Sequence, residues 1–213
     1  MICDGYQVYD KLGPEIIVCG CWAHTRRKFT DLIKTLSHEQ KKKSKAVEIL
    51  KIIDDIFLKE AKYREDKLNP VEIFIKRLKE IKPLLSKYED IIFNSNFGEN
   101  TALGKAVNYS RNIWDKLIGF MSDGRVEMTN NLAERGIKPF VIGRKNFLFS
   151  NIENEAGASV LLHSLVETAK ANLINVEEYL KYVIENISDK RQSELNILLP
   201  WDENIQKLFS IKN

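Results

Sequence analysis

The feature that most constrains the fold is an apolar, β-branched run, EIIVCGCW, which covers residues 15–22 and leads directly into a helical pattern. Gly13 and Pro14 bound the run on one side, and a run of this length and composition is typical of a buried strand. The next residues, AHTRRKFTDLIKTL, carry apolar side chains at helical spacing, beginning with Phe29 and Leu32. The sequence therefore predicts a strand that passes into a helix.

The residues before this run, MICDGYQVYDKLG, predict the end of another strand at Asp4 and a short helix through Tyr9. The order of elements at the start of the chain is then β, α, β, α, which is typical of an α/β fold. We predict that residues 1–37 form the first part of such a fold.

Between residues 38 and 121 the pattern changes to amphipathic helices with dense charges of both signs. Asn69 before Pro70 predicts a helix start, because Asn caps helices well and Pro suits the first helical position. We interpret this segment as a largely helical insertion.

The last part of the chain returns to mixed structure. Within residues 122–174, NFLFS predicts a strand and EAGASVLLHSLVETAKANL a helix. Residues 175–213 predict a C-terminal helical region, in which Asn175 caps a helix with one apolar face. The second part of the α/β core is expected in 122–174.

Composition and the pattern of apolar residues bear on where in the cell the protein is found. The chain of 213 residues is 44% hydrophobic and 30% charged, which fits a globular protein. No apolar run approaches the roughly 20 residues that span a bilayer, and the N-terminus lacks signal-peptide regions. Three Cys without framework spacing favour reduced thiols. We expect a cytoplasmic protein with no membrane partner, and the net charge of +3 alone does not establish an anionic ligand.

The stretch TNNLAERGIKPFVIGRKNF, residues 129–147, concentrates polar side chains where a small domain would build core. On a helix, Asn130 and Asn131 precede Glu134 by four and three residues and share its face. Arg135 and Lys138 flank that face, and the following Pro is expected to end the helix. One carboxylate is thus surrounded by amides and cations.

Two interpretations of this stretch remain open at this point. Asn131 with Glu134 three residues later matches a capping box, which needs no ligand. GRKNF then adds Arg144 and Lys145 just before the predicted strand. Donors clustered around an acid suit a phosphodiester backbone and a metal ion better than a cap.

Four ordered motifs, CDGYQVYDKL, CWAHTRRKF, DGRVEMTNNLAERGIKPFVIGRKNFLFS and SLVETAKANLINVEEYLKYVIENI, closely resemble the catalytic portion of bacterial transposases of the insertion sequence 66 family. The resemblance implies an RNase H-like fold in which Asp, Asp and Glu hold divalent metals for cutting and joining DNA. It assigns Asp4 as the second acid and Glu134 as the third. The first acid of the family lies upstream of Asp4, so we expect a partial RNase H-like fold lacking its first strands.

The chemistry explains why the resemblance requires acids. Mg²⁺ or Mn²⁺ takes hard oxygen ligands, and two such ions can activate an attacking oxygen while stabilising the leaving oxygen of a phosphodiester. Two carboxylates make a weaker site than three, so the chain alone is expected to be inactive. Within CWAH, Cys21 and His24 resemble a family signature, although a buried thiol and a hydrogen-bonded His at a strand-to-helix junction explain them equally well. Zinc is disfavoured, because Cys-x-x-His supplies only two ligands.

The resemblance implies DNA, both element ends and target, as the partner, with a homo-oligomer or an intact transposase as a further possible partner. It also implies an association with the nucleoid when DNA is bound. An alternative function is a non-catalytic DNA-binding or oligomerisation fragment that modulates an intact transposase. The candidate DNA-contacting residues are Arg26, Arg27, Asn130, Asn131, Arg135, Lys138, Arg144 and Lys145.

Overall fold

A computed structural model describes residues 1–4, 7–13, 15–144 and 153–211. Helices predominate in these ranges, together with one two-stranded parallel sheet, which agrees with the predicted α/β class. The chain divides into two compact units, Met1–Leu132 and Ala133–Asn213. The helices are α1 (Trp22–Lys34), α2 (His38–Lys43), α3 (Lys45–Glu65), α4 (Pro70–Lys76), α5 (Lys82–Asn94), α6 (Ala102–Asn112), α7 (Trp114–Leu117), α8 (Asn131–Arg144), α9 (Glu153–Ala171), α10 (Val176–Asn186) and α11 (Glu203–Phe209).

The sheet consists of β1 (Ile2–Cys3) and β2 (Cys19–Gly20), which pair in parallel from the first residue of each strand. The 3₁₀ helix Gln7–Lys11 lies between them in the chain, close to the predicted short helix. The predicted strand over 15–22 is wrong at both ends, because β2 covers only Cys19–Gly20 and α1 begins at Trp22. Strand residues need a hydrogen-bonded neighbour, and β1 supplies only two within the described part of the chain.

One apolar core holds the first unit together, and Trp22 lies within it. The Trp22 indole packs edge-on against Tyr88, with 5.3 Å between ring centroids, and against Phe120 at 6.4 Å. Its Nε1 donates a hydrogen bond to the Leu117 carbonyl at 2.8 Å. The fully buried aliphatic side chains around it come mainly from the middle helices: Ile49, Ile53, Ile56, Ile81, Ile92, Val107 and Leu117.

A π-helical segment, Arg77–Ile81, joins α4 to α5. Arg77, Ile81 and Leu85 follow one another at intervals of four residues, and all three are buried. In a regular α-helix, each interval of four would rotate the side chain by about 40° away from the core. Because a π turn holds more residues, the three side chains can stay on the core-facing side.

Arg77 is buried and donates five hydrogen bonds to other described residues of this unit. Its Nε and Nη2 donate to the two carboxylate oxygens of Glu60 at 2.7 and 2.8 Å. Its Nη1 donates to the carbonyls of Phe120 at 2.6 Å and Asp123 at 2.9 Å, and Nη2 also donates to the Val126 carbonyl at 2.9 Å. The guanidinium therefore uses its full set of donors and ties the helices to the segment that precedes α8.

The second unit has a smaller core, formed by α9, α10, α11 and the 3₁₀ helix Gln192–Leu198. Tyr179 is fully buried and donates its hydroxyl hydrogen to the Leu198 carbonyl at 2.9 Å. An isolated antiparallel bridge joins Ile174 to Ser210, so the end of α11 is tied back to the start of α10. The residues of this core are Ala169, Ile174, Tyr179, Val183, Leu198 and Ile205.

The predicted helix starts at Asn69 and Asn175 are confirmed. The Asn69 side chain accepts from two backbone amides of α4, and Asn175 accepts from the Glu178 amide. The predicted helix stop at Pro139 is wrong, because α8 continues to Arg144 with the proline inside it. An interior proline lacks an amide donor and crowds the carbonyl of the preceding turn, but Phe140 beyond it packs against His163, with 5.3 Å between ring centroids.

The predicted strand NFLFS lies outside the described residues, whereas the helix predicted after it is α9. Among the helices described, none has the combined length and apolarity to cross a bilayer.

Candidate metal and DNA site

Asp4 follows β1 directly, at the carboxyl end of the strand, and is exposed to solvent. The neighbouring strand ends at Gly20 and leads through Cys21 into α1, whose first residue follows at once. The Cys21 amide donates to the Cys3 carbonyl at 2.8 Å, which extends the pairing of the two strands up to Asp4. Asp4 and the start of α1 therefore share one edge of the sheet.

The three thiols of the two strands and the following residue lie in the protein interior. Cys3, Cys19 and Cys21 are all buried and reduced. Burial raises the pKa of the Cys19 thiol. Cys21 is fully buried at the N-cap of α1, while His24 is half-buried one turn further along the helix.

Tyr109 on α6 reaches the same edge and was not identified from the sequence. Its hydroxyl donates to the Asp4 main-chain carbonyl at 2.6 Å, across 105 residues of sequence. Burial raises the pKa of Tyr109 to about 12, and the Asp4 carboxylate contributes to the rise. The Lys28 ammonium lies 5.0 Å from the centroid of the Tyr109 ring. No local sequence pattern marks Tyr109, because its partner is so distant in the chain.

Three of the residues predicted to contact DNA lie around one cleft of about 680 Å³ in the first unit. Arg26 and Arg27 come from α1, and Asn131 is the first residue of α8. Arg26 is paired with Asp54, with 2.6 Å between Nε and Oδ1. Arg27 is exposed, and among the described residues it makes no ion pair. The remaining lining residues are Ala23, Thr30, Asp31, Lys34, Asp54, Phe57 and Leu58.

The first turn of α8 differs from the capping-box interpretation. The helix begins at Asn131, so the residue that precedes it is Asn130. The Asn130 side-chain oxygen is buried and has no hydrogen-bond partner within the described ranges. Glu134 is half-buried in this turn. The structure thus makes Asn131 the first helical residue rather than the capping residue before it.

Two cations of α8 have described side chains, and both are exposed. Arg135 and Lys138 are both accessible to solvent, and Lys138 lies one helical turn after Glu134. Arg144 ends the helix, but its side chain and the whole of Lys145 lie outside the described residues. The structure thus describes two of the four cations predicted in this stretch.

Comparison with protein-family models matches residues 1–159 to the transposase IS66 family. The chain belongs to the IS66 transposase family. The IS66 C-terminal element matches residues 164–201, so the two matches together cover most of the chain. No solved structure matches it.

This IS66-family chain is also similar to three proteins of Sinorhizobium fredii (strain NBRC 101917 / NGR234), each described as uncharacterized. Protein y4hP is 28% identical over 191 residues, which are 85% of this chain and 34% of the relative. Protein y4jD is 27% identical over 213 residues, with 93% of this chain and 40% of the relative covered. Protein y4qI is 28% identical over 214 residues, with coverage of 93% and 38%. The chain spans about a third to two-fifths of the length of these curated relatives.

The two acids assigned by the IS66 resemblance fall in different units, Asp4 in the first and Glu134 in the second. The prediction that their carboxylates face one another within roughly 10 Å, as two-metal chemistry requires, stays a prediction. Within the described ranges of this IS66-family chain, no three His, Cys, Asp or Glu side chains form a group that could hold a metal ion.

Proposed function

We propose that this chain forms part of the catalytic region of a DDE-type transposase, with an RNase H-like fold. In this proposal Asp4 and Glu134 bind Mg²⁺ or Mn²⁺ for cleavage and transfer of DNA strands. The observation that carries it is the exposed position of Asp4 at the carboxyl end of a parallel strand, beside the start of the basic helix α1. Ligands of α/β sheets bind at this end of the strands.

The chemical roles follow from charge. Carboxylate oxygens are hard ligands, suited to Mg²⁺ and Mn²⁺, and Asp4 and Glu134 supply two of them. The bound ions would provide Lewis-acid stabilisation of the phosphodiester oxygens. Two carboxylates leave coordination positions to water, so we expect weak metal binding and negligible strand cleavage from these 213 residues alone. The IS66 resemblance implies one more acid, the first of the three, which neither Asp4 nor Glu134 supplies.

The exposed cations supply the DNA contacts in this proposal. Arg27 in the cleft, with Arg135 and Lys138 on α8, can each neutralise a phosphate without breaking an existing buried pair. Arg26 would exchange its contact with Asp54 for a phosphate. A protein that acts on chromosomal DNA works in the bacterial cytoplasm, at the nucleoid, and we place this chain there.

Iron-directed cleavage tests the metal site. Fe²⁺ bound in place of Mg²⁺ produces hydroxyl radicals that cut the nearby backbone, so a shared site should give cuts near both Asp4 and Glu134. Both cuts should be suppressed by excess Mg²⁺ and by either Asp4→Asn or Glu134→Gln. Glu177→Gln, which changes an exposed acid of α10, serves as the matched control and should leave both cuts intact. Cuts near only one acid, or cuts that survive both substitutions, would reject the shared site.

Fluorescence anisotropy with duplex DNA tests the contacts to phosphate. Replacing Arg27, Arg135 or Lys138 by Ala should weaken binding equally for unrelated sequences and reduce the salt slope by about one unit for each contact. Lys181→Ala, an exposed cation on α10, is the control and should change neither quantity. Normal DNA binding together with no metal-directed cleavage would favour the non-catalytic DNA-binding alternative.

A further inference from the structure

The end of the strand that carries Asp4 is fixed by two hydrogen bonds from distant parts of the first unit. The Cys21 amide donates to the Cys3 carbonyl at 2.8 Å, and the Tyr109 hydroxyl donates to the Asp4 carbonyl at 2.6 Å. These two carbonyls flank the Asp4 α-carbon. Because peptide groups are planar, holding both carbonyls restricts the two backbone dihedrals of Asp4 and so the direction of its Cα–Cβ bond.

We infer that Tyr109 is a positioning residue, which holds Asp4 in the orientation that binds metal. The inference rests on the proposed function, in which Asp4 is a metal ligand. Tyr109 does not itself contact the metal in this account. It acts through the main chain of the ligand, as residues outside the coordination sphere orient metal ligands in other sites.

The helix that carries Tyr109 is well anchored, as a positioning residue requires. Ser110, the next residue, accepts a hydrogen bond from the buried Tyr88 hydroxyl at 2.7 Å. Arg111 donates to the carbonyls of Ile92 and Ser95 at the end of α5, at 2.5 and 3.1 Å. These bonds lock α6 to α5 directly beside Tyr109, so the hydroxyl is presented from a rigid element.

Lys28, on α1, contacts the Tyr109 ring. Its ammonium lies 5.0 Å from the Tyr109 centroid, within the range of a cation–π contact. Lys28 follows His24 by one turn of α1, so both lie on the face of α1 directed towards this edge, whereas Arg26 and Arg27 line the separate cleft. The Tyr109 ring is thus held between α6 and α1, and its hydroxyl is left to bond Asp4.

The test compares Tyr109→Phe with Tyr179→Phe in the full chain. Each substitution removes one tyrosine hydroxyl and one hydrogen bond to a main-chain carbonyl, and the ring stays in place. Only the first bond reaches Asp4. Two quantities are measured for each variant: Mn²⁺ affinity by electron paramagnetic resonance, and amide hydrogen exchange of the peptide that contains Cys3 and Asp4.

We expect Tyr109→Phe to speed exchange of that peptide and to weaken Mn²⁺ binding by about tenfold, the scale of lost support around a metal ligand. Tyr179→Phe should also lower the melting temperature, because it removes a buried hydrogen bond, and should leave Mn²⁺ affinity within twofold. Faster exchange without weaker Mn²⁺ binding would overturn the positioning role. Equal weakening by both variants would also overturn it, because general destabilisation would then explain the effect.

Asp4→Asn separates this inference from the proposed function. If Asp4→Asn weakens Mn²⁺ binding and Tyr109→Phe does not, only the role of Tyr109 fails. If Asp4→Asn leaves Mn²⁺ binding unchanged, Asp4 is not a ligand, and the proposed site and the role of Tyr109 fail together.

Discussion

The helices between residues 45 and 112 and the strand edge at Asp4 belong to the same unit but are stabilised differently. The helices bury a continuous set of aliphatic and aromatic side chains, and one ion pair, Arg77 with Glu60, lies inside. The strand edge has two residues in each strand and depends on single hydrogen bonds from elsewhere. Most of the stability of the unit thus comes from helices that carry neither proposed acid, and these helices support the edge that does.

The largest loss of stability should come from replacing Arg77, which lies among the helices. Arg77→Met leaves the Glu60 carboxylate and three main-chain carbonyls buried without their donor, so the free energy of unfolding should fall by about 3–5 kcal/mol. Urea denaturation followed by Trp fluorescence measures it. Arg64→Met removes an exposed pair with Glu127 and should cost less than about 1 kcal/mol.

The double variant Arg77→Met with Glu60→Leu sharpens this result. It removes the stranded carboxylate, so it should recover part of the lost stability, but the three carbonyls remain without a donor. If Arg77→Met is as stable as Arg64→Met, the pair of Arg77 and Glu60 does not organise the helices.

Two glycines in helices should respond in opposite directions. A Cβ on Gly104 of α6 would lie 2.1 Å from the Gly98 carbonyl oxygen, so Gly104→Ala should destabilise by about 1–3 kcal/mol. A Cβ on Gly136 of α8 would meet nothing within 4 Å, so Gly136→Ala should stabilise by about 0.5–1 kcal/mol through helix propensity. Thermal denaturation measures both. If both substitutions raised the stability, or both lowered it, α6 and α8 would not differ in packing as described.

The smallest effect concerns Glu80, which accepts hydrogen bonds from Lys59 and Lys76, both at 3.0 Å. These two bonds lower the pKa of Glu80 to about 2. Since the pKa in the unfolded chain is roughly 4.3, the stabilisation is fully present above about pH 5 and is lost as pH falls through about 2.

Glu80→Gln should therefore lower the free energy of unfolding at pH 7 by at most about 1 kcal/mol, as is usual for solvent-exposed ion pairs. The difference between the two proteins should shrink at pH 3, and urea titrations at both values measure it. A difference that is the same at pH 7 and pH 3 would assign the effect to something other than the charge of Glu80.

Local patterns predicted local structure well. Asn69 and Asn175 were identified as helix caps because a cap depends on the two or three residues that follow it. The motif around Asp4 located the end of β1 for a similar reason. The strand over 15–22 was overestimated, because the length of a strand depends on its partner, which the run itself does not encode.

Long-range bonds were beyond the reach of those patterns. Arg77 occurs in an ordinary amphipathic, charged stretch, and only the packed structure shows that its side chain is buried against carbonyls 43 to 49 residues away. The assignments of Asp4 and Glu134 came from the resemblance rather than from spacing, and their shared role stays a prediction. Pro139 shows the converse, since a strong local signal gave way to packing beyond it.

The separation of partners along the chain implies an order of assembly. The pair of Arg77 and Glu60 spans 17 residues, whereas the Trp22 indole bond spans 95 and the bond from Tyr109 to Asp4 spans 105. Because closing a longer loop costs more entropy, the helices can form before the strand edge closes onto them. The same edge should open first under native conditions, independently of global unfolding. Whatever docks against this edge, whether DNA or further chain, would therefore act on the part of the unit that folds last.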